Sequence, residues 1–232
     1  MIKTESLLLA QDGALRFDAY LAEPAAGAGK KPSVLILSEM FGLNGPMREL
    51  ADLFASRGHA AMVPNVFWRS ETTTGLAYAG PERQVAIERL KTLDFTQIPL
   101  DLRAAVTHLR GLPACSGKVA AIGFCAGGTL AYLAAAHSGV DAAVSFYALG
   151  IGAHLADLPL VRCPVQLHYG SRDPHVPMTE INPVLNATRE HATIQCYLYD
   201  AGHSFFNKVR PTYDADAARL SEERINALLA SL

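Results

Sequence analysis

Residues 123–128 read Gly-Phe-Cys-Ala-Gly-Gly, where an apolar run of strand length, 118–123, gives way to an Ala-rich helical pattern over 129–137. A nucleophile with small residues two positions to either side marks a sharp strand-to-helix turn, in which larger flanking side chains would collide. Such a turn lifts Cys125 clear of a sheet. It also leaves the Ala126 amide at a helix N-terminus, where negative charge developing on a substrate oxygen is stabilised. A buried cysteine ahead of a Gly-rich strand end would read similarly, but strand, turn and helix signals all occur here in order. A thiol is strongly nucleophilic once ionised and mostly protonated near neutral pH, so Cys125 requires a base or a positive field.

A nucleophile on such a turn is completed by an acid and then a histidine further along the chain. Asp173 lies in Gly-Ser-Arg-Asp-Pro-His-Val-Pro, residues 170–177, just past the strand-like run 164–169. A carboxylate there can orient an imidazole, although Asp-Pro is also a plain turn signal. His203 lies in Ala-Gly-His-Ser-Phe, residues 201–205, just after the run 193–199, and so falls at the same sheet edge as Asp173. Of the other seven histidines, His175 is the main rival, and strand alternation through its segment points it away from the site. His168 falls inside a predicted strand and His191 on an exposed turn.

The elements that must position these groups follow from periodicity. Residues 7–9 and 15–21 flank Asp12-Gly13 as an antiparallel hairpin at a sheet edge. The continuous apolar run 33–38 reads as a strand buried on both faces, 118–123 as another buried strand, 59–63 as a further short apolar run, and 140–147, 164–169 and 193–199 as the remaining strand candidates. Helical spacing appears at 47–57, 81–93, 100–112, 129–137, 180–189 and 215–229. The alternation predicts one α/β domain over 1–232, with a mostly parallel central sheet, helices on both faces and the N-terminal hairpin. The longest irregular stretch, 64–80, is a candidate lid or binding loop. Its Trp68 either lines a pocket or anchors the loop to the core.

Composition narrows the function. The 232 residues carry 20 Lys+Arg against 22 Asp+Glu, a net charge of -2, with half the residues hydrophobic. Without a concentrated basic region, nucleic acid and anionic membranes are poor partners, and small-molecule chemistry is favoured. Residues 1–12 carry neither a basic leader nor a span, which places the expected compartment in the cytoplasm. The four cysteines lack metal-ligand or disulfide spacing, and no feature asks for a metal or organic cofactor. A monomer or a dimer fits equally.

Together these residues resemble the dienelactone hydrolase family of the α/β-hydrolase fold, whose hallmark is cysteine in place of serine at the turn. Ser-Glu-Met-Phe-Gly-Leu-Asn, residues 38–44, is similar to the family's Glu-x-Phe-Gly loop after the first central strand. Residues 123–128, Ser-Phe-Tyr at 145–147, 173–177 and 202–205 follow in the family's order. The resemblance implies a hydrolase that opens an activated lactone or ester, its small-molecule partner, through a thioacyl intermediate on Cys125. Asp173 would orient His203, and Glu39 would take the thiol proton. The amides of Ala126 and Met40 would form the oxyanion hole, with Phe41, Tyr147 and Ser204 on the pocket wall. Independently of family, a carboxylate entering an apolar site gains proton affinity and can act as a base, although Glu39 could instead cap a loop amide.

Two departures bear on substrate. The family carries an arginine on the helix after the lid region and another shortly after His-Ser-Phe, and the pair clamps a substrate carboxylate. Here Val85 and Asn207 stand at those places, leaving Arg83, Arg89, Lys208 and Arg210 as the cations able to substitute. Other readings are an esterase or thioesterase of the same fold with a different substrate, and a non-catalytic lactone-binding protein. A glutamine-amidotransferase-like arrangement also puts cysteine on such a turn, but with histidine directly after it, where Ala126 stands here.

Overall fold

The computed structural model describes residues 1–70 and 75–232. Its strands are β1 (Lys3–Asp12), β2 (Leu15–Glu23), β3 (Lys31–Leu37), β4 (Ala61–Pro64), β5 (Cys115–Phe124), β6 (Ala142–Phe146), β7 (Val165–Gly170) and β8 (Ile194–Tyr199). They form one sheet in the order β1-β2-β4-β3-β5-β6-β7-β8. β1 pairs antiparallel with β2, and β2 antiparallel with β4, while every pairing from β4 through β8 is parallel. This is the expected α/β-hydrolase arrangement. The hairpin turn sits one residue later than Asp12-Gly13, on Gly13 and Ala14, because Asp12 still pairs with Leu15.

The helices are α1 (Gly45–Ser56), α2 (Pro81–Leu90), α3 (Ile98–Gly111), α4 (Ala126–His137), α5 (Met178–Thr188) and α6 (Ala215–Ala230). In β3, Val34 and Ile36 pack with α1 and α6 on one face, whereas Leu35 and Leu37 pack with α3, α4 and α5 on the other. All four are fully buried, which is why the strand reads as an unbroken apolar run. Residues 126–135 of α4 are likewise buried, between the sheet, α3 and a 3-10 stretch (Ile151–Leu160) that sequence periodicity did not reveal. A helix enclosed on every side shows no polar face, and alanine lets its neighbours approach closely.

The irregular stretch after β4 is tied down at its start. Trp68 is 5% exposed, stacks on Phe17 with ring centroids 5.5 Å apart, and donates its Nε1–H to Asp101 at 3.0 Å, so it anchors the chain to the core. Part of the expected lid, residues 71–74, lies outside the described residues. Among the described residues no helix is long and apolar enough to cross a membrane.

One buried network braces the strands that lead to the candidate acid and base. His168 on β7 is fully buried; its Nδ1 lies 2.7 Å from the Tyr199 hydroxyl on β8 and its Nε2 3.2 Å from Gln166 Oε1. Arg224 of α6 donates to the same Tyr199 oxygen at 2.6 Å. Burial, with Arg224 nearby, pushes the His168 pKa down to about 3. The folded chain therefore binds fewer protons here than the unfolded chain between pH 6.5 and 3, and this stability is lost as pH falls through that window. Urea unfolding is expected to show a loss of about 2 kcal/mol from this group between about pH 7 and pH 5. The pH slope should flatten in His168→Gln, and an unchanged slope would contradict the assignment.

Candidate active site

The turn at Cys125 is dictated by steric exclusion. A Cβ on Gly123 would fall on the carbonyl oxygen of Gly127, and one on Gly127 would fall on the carbonyl of Leu37. A Cβ on Gly128 would come within 2.7 Å of the Phe146 carbonyl. Only glycines let β5, α4 and the neighbouring strand ends approach this closely. The reversal is completed by Cys125 itself at φ 56, ψ -119, as the residue before the first turn of α4. Its N–H donates to Phe146 O at 3.0 Å, so the strained residue is pinned to β6.

Cys125, Tyr147 and Ser204, at φ 56, 36 and 61, are the non-glycine residues with positive φ among the described residues. Each such conformation costs on the order of 1–3 kcal/mol and persists only where the surroundings enforce it. All three gather at the C-terminal ends of the parallel strands, where α/β proteins bind ligands.

Asp173 and His203 meet as their strand-end positions predict. His203 Nδ1 lies 2.7 Å from Asp173 Oδ2, and both residues are buried. Asp173 Oδ1 meanwhile accepts the N–H groups of His175 at 2.8 Å and Val176 at 3.1 Å, so one carboxylate both holds its turn and orients the imidazole. The expectation that strand alternation directs His175 away is corrected. β7 ends at Gly170, the segment beyond it is a turn without period two, and the exposed His175 ring lies 5.0 Å from the His203 ring. Tyr147 packs on His203 with ring centroids 4.9 Å apart.

Glu39, two residues past β3, is 3% exposed and accepts the Ser204 hydroxyl at 3.2 Å. Ser204 thus holds the carboxylate. Burial pushes the Glu39 pKa above the usual carboxylate value, against the opposing pull of Arg210, His203, Ser204 and Tyr147. The Cys125 thiol is raised as well, chiefly by burial and then by the Glu39 charge, while the Ala126 amide and Arg210 act the other way. In the resting site the neutral thiol is favoured.

A carboxyl with a raised folded pKa stabilises the fold below its ordinary value of 4.5, and that contribution is lost as pH rises through the folded pKa. Glu39→Gln, which keeps an acceptor for Ser204, is therefore expected to unfold at a higher temperature than the parent protein at about pH 8, and to differ little at about pH 4. Thermal unfolding at both pH values measures this. A variant less stable at the higher pH would mean that the ionised carboxylate is favoured in the fold.

The cations sort themselves by helix phase and loop path. Arg83 is exposed in the first turn of α2, and Val85 is exposed as well, because Ala86 and Arg89 form the inward side of that helix. Arg89 donates to the Met40 carbonyl at 2.6 Å. Lys208 is exposed, whereas the guanidinium of Arg210 lies 4.8 Å over the Tyr78 ring and 5.5 Å over Phe41. Phe41 is buried edge-on to Tyr78, whose hydroxyl accepts from Asn207 Nδ2 at 2.9 Å. Sequence reasoning missed Tyr78, which lies in the irregular stretch where no periodicity marks an inward position. A cleft of about 330 Å³ between α1 and α6 shares Tyr147 with this site, but none of Glu39, Cys125, Asp173 and His203 lines it.

Residues 17–232 match the family model described as the dienelactone hydrolase family. A carboxymethylenebutenolidase from Pseudomonas sp. (strain P51) is 33% identical over 230 residues, covering 97% of this chain and 94% of the relative. One from Pseudomonas putida is 32% identical over 231 residues, covering 99% and 97%. Among solved structures, a dienelactone hydrolase-like promiscuous phosphotriesterase from metagenomic libraries superposes with TM-score 0.81 at 24% identity, over 100% of this chain and 98% of the other, and shares the fold. The sequence match over nearly the whole length, on the α/β-hydrolase sheet described above, makes this chain a member of the dienelactone hydrolase family.

Proposed function

We propose that this protein hydrolyses an activated lactone or ester of the carboxymethylenebutenolidase type through a thioacyl intermediate on Cys125. The observation that carries the reading is the meeting, at one sheet edge, of the strained Cys125, the hydrogen-bonded His203 and Asp173, and the buried Glu39. Glu39, with its raised proton affinity, takes the proton from the thiol, and the thiolate sulfur attacks the substrate carbonyl carbon. The amides of Ala126 and Met40 hold the resulting oxyanion. Collapse expels the leaving oxygen as an enolate, which takes the proton back from Glu39. His203, its Nδ1 held by Asp173, then removes a proton from water as the water oxygen attacks the thioester. The tetrahedral adduct releases the acid, and the expelled thiolate recovers its proton from the imidazolium.

A thiolate leaves a tetrahedral adduct more readily than an alkoxide does, so this chemistry favours enol and aryl leaving groups over simple alkyl esters. Arg210 is suited to an anionic substrate: it acts on both Glu39 and Cys125, and its buried Nε has no hydrogen-bond partner among the described residues. Initial rates on a carboxylate-bearing dienelactone and on a neutral aryl ester of similar size, for the parent protein and Arg210→Met, test this reading. The expected result is a preference for the dienelactone that falls about tenfold or more in the variant through KM, with the neutral ester little affected. Preference for the neutral ester would mean that the cysteine machinery serves an uncharged substrate, a reading that Asn207 at the family's second arginine position favours.

A further inference from the structure

Glu39 and the Met40 amide sit on one tight turn. Gly42 N–H returns to the Glu39 carbonyl at 3.0 Å, so Met40 and Phe41 are the two central residues of a four-residue reversal. In such a turn the central peptide, here the carbonyl of Met40 and the N–H of Phe41, can point to either side of the loop, and its orientation separates one turn type from another. The far end of the loop is fixed by Leu76 N–H to Phe41 O at 2.8 Å and by Asn44 capping Met47 N at 3.3 Å. The central carbonyl is taken by Arg89, whose Nη2 donates to Met40 O at 2.6 Å. Arg89 is 2% exposed, and its guanidinium rests 4.1 Å over the Phe67 ring.

We propose that Arg89 is a positioning residue for the reaction, holding the 39–42 turn in the one orientation that aims the Met40 amide and the Glu39 carboxylate at Cys125. The inference rests on the reading above, in which Met40 supplies an oxyanion donor and Glu39 the base. Burial lowers the Arg89 pKa to about 10, which still leaves the side chain cationic near neutral pH. A charged donor makes the stronger hydrogen bond to a carbonyl, and a fork seated on an aromatic ring has little freedom to release it. Losing this hold releases the Met40 carbonyl, and as the Met40 backbone relaxes the adjoining Glu39–Met40 peptide, which carries the Met40 N–H, shifts with it. The oxyanion donor is then misplaced in the transition state, while ground-state substrate binding is largely kept.

The test is steady-state hydrolysis of an aryl ester by Arg89→Lys, Arg89→Met and Arg89→Ala, each verified as folded by circular dichroism. In Arg89→Met, kcat is expected to fall about tenfold to a hundredfold with KM changed less than about threefold. Arg89→Lys should retain most of that loss, because an ammonium cannot reproduce the seated fork, and added ethylguanidinium should recover part of kcat in Arg89→Ala. A folded Arg89→Met with kcat within about twofold of the parent protein would overturn the proposal. If the Arg89 variants do not fold, Phe67→Leu loosens the guanidinium seat instead; a severalfold fall in kcat supports the proposal and an unchanged kcat overturns it. Cys125→Ala in the same assay separates the two levels. If it stays active, the cysteine mechanism itself fails; if it is inactive while Arg89→Met is unaffected, only the role of Arg89 fails.

Discussion

Cys125→Ala is expected to lower kcat on an enol lactone or aryl ester by at least about a thousandfold while leaving the fold intact. The side chain lost is a small, buried thiol whose ionised form the resting site disfavours through burial and the Glu39 charge, so its removal deletes chemistry and little stabilisation. The imidazole-carboxylate pair and the proposed oxyanion donors, the Ala126 and Met40 amides, remain in the variant and would account for any residual rate. Initial-rate assays beside a thermal unfolding curve separate loss of activity from loss of structure. Retained activity would remove Cys125 from the mechanism.

The second large effect is on folding. Gly123→Ala is expected to destabilise the protein by about 4 kcal/mol or more, a large share of the stability of a typical domain. The added methyl has nowhere to go, since it would fall on the backbone carbonyl of Gly127, with the carbonyl carbon and the Gly128 nitrogen just behind. Relief requires opening the turn that holds Cys125 at φ 56, and with it the junction of β5 and α4. Gly152→Ala is the control: its Cβ would meet nothing within 4 Å and its φ is not positive. Urea denaturation should place that variant within about 0.5 kcal/mol of the parent protein. If Gly123→Ala were equally mild, the argument that close backbone approach builds the elbow would be wrong.

The residues that were legible in advance owe their legibility to local, steric or positional rules. The glycines around Cys125 are required by backbone contact. Asp173 follows the fully buried β7 and His203 the partly exposed edge strand β8, and the ends of these strands mark where the chain emerges at the sheet edge that carries Cys125. Where tertiary structure takes over, sequence reasoning lost its grip. Strand alternation points His175 away from the site, but its backbone is held in a turn by the same Asp173 carboxylate that orients His203. The cations beside the site depend on the phase of α2 and on the path of the loop after Phe206; Arg89 turns inward and Arg83 does not, a difference of six residues along a helix whose first turn is exposed. The hydrogen bond of Ser204 to a glutamate 165 residues away along the chain has no local signal. The 3-10 stretch 151–160 escaped because its period is neither that of a strand nor that of an α-helix.

The central claim is a covalent acyl group on Cys125. His203→Asn keeps the nucleophile and Glu39 but slows attack by water, so mixing this variant with an aryl ester, quenching in acid and weighing the intact protein tests the claim directly. The predicted result is a mass increase equal to the acyl group, mapped to the peptide containing Cys125, discharged by neutral hydroxylamine as a thioester is, and absent when Cys125→Ala is added. An acyl group found on Ser204 or another residue, or hydrolysis by the parent protein with no acyl-enzyme in the variant, would contradict it.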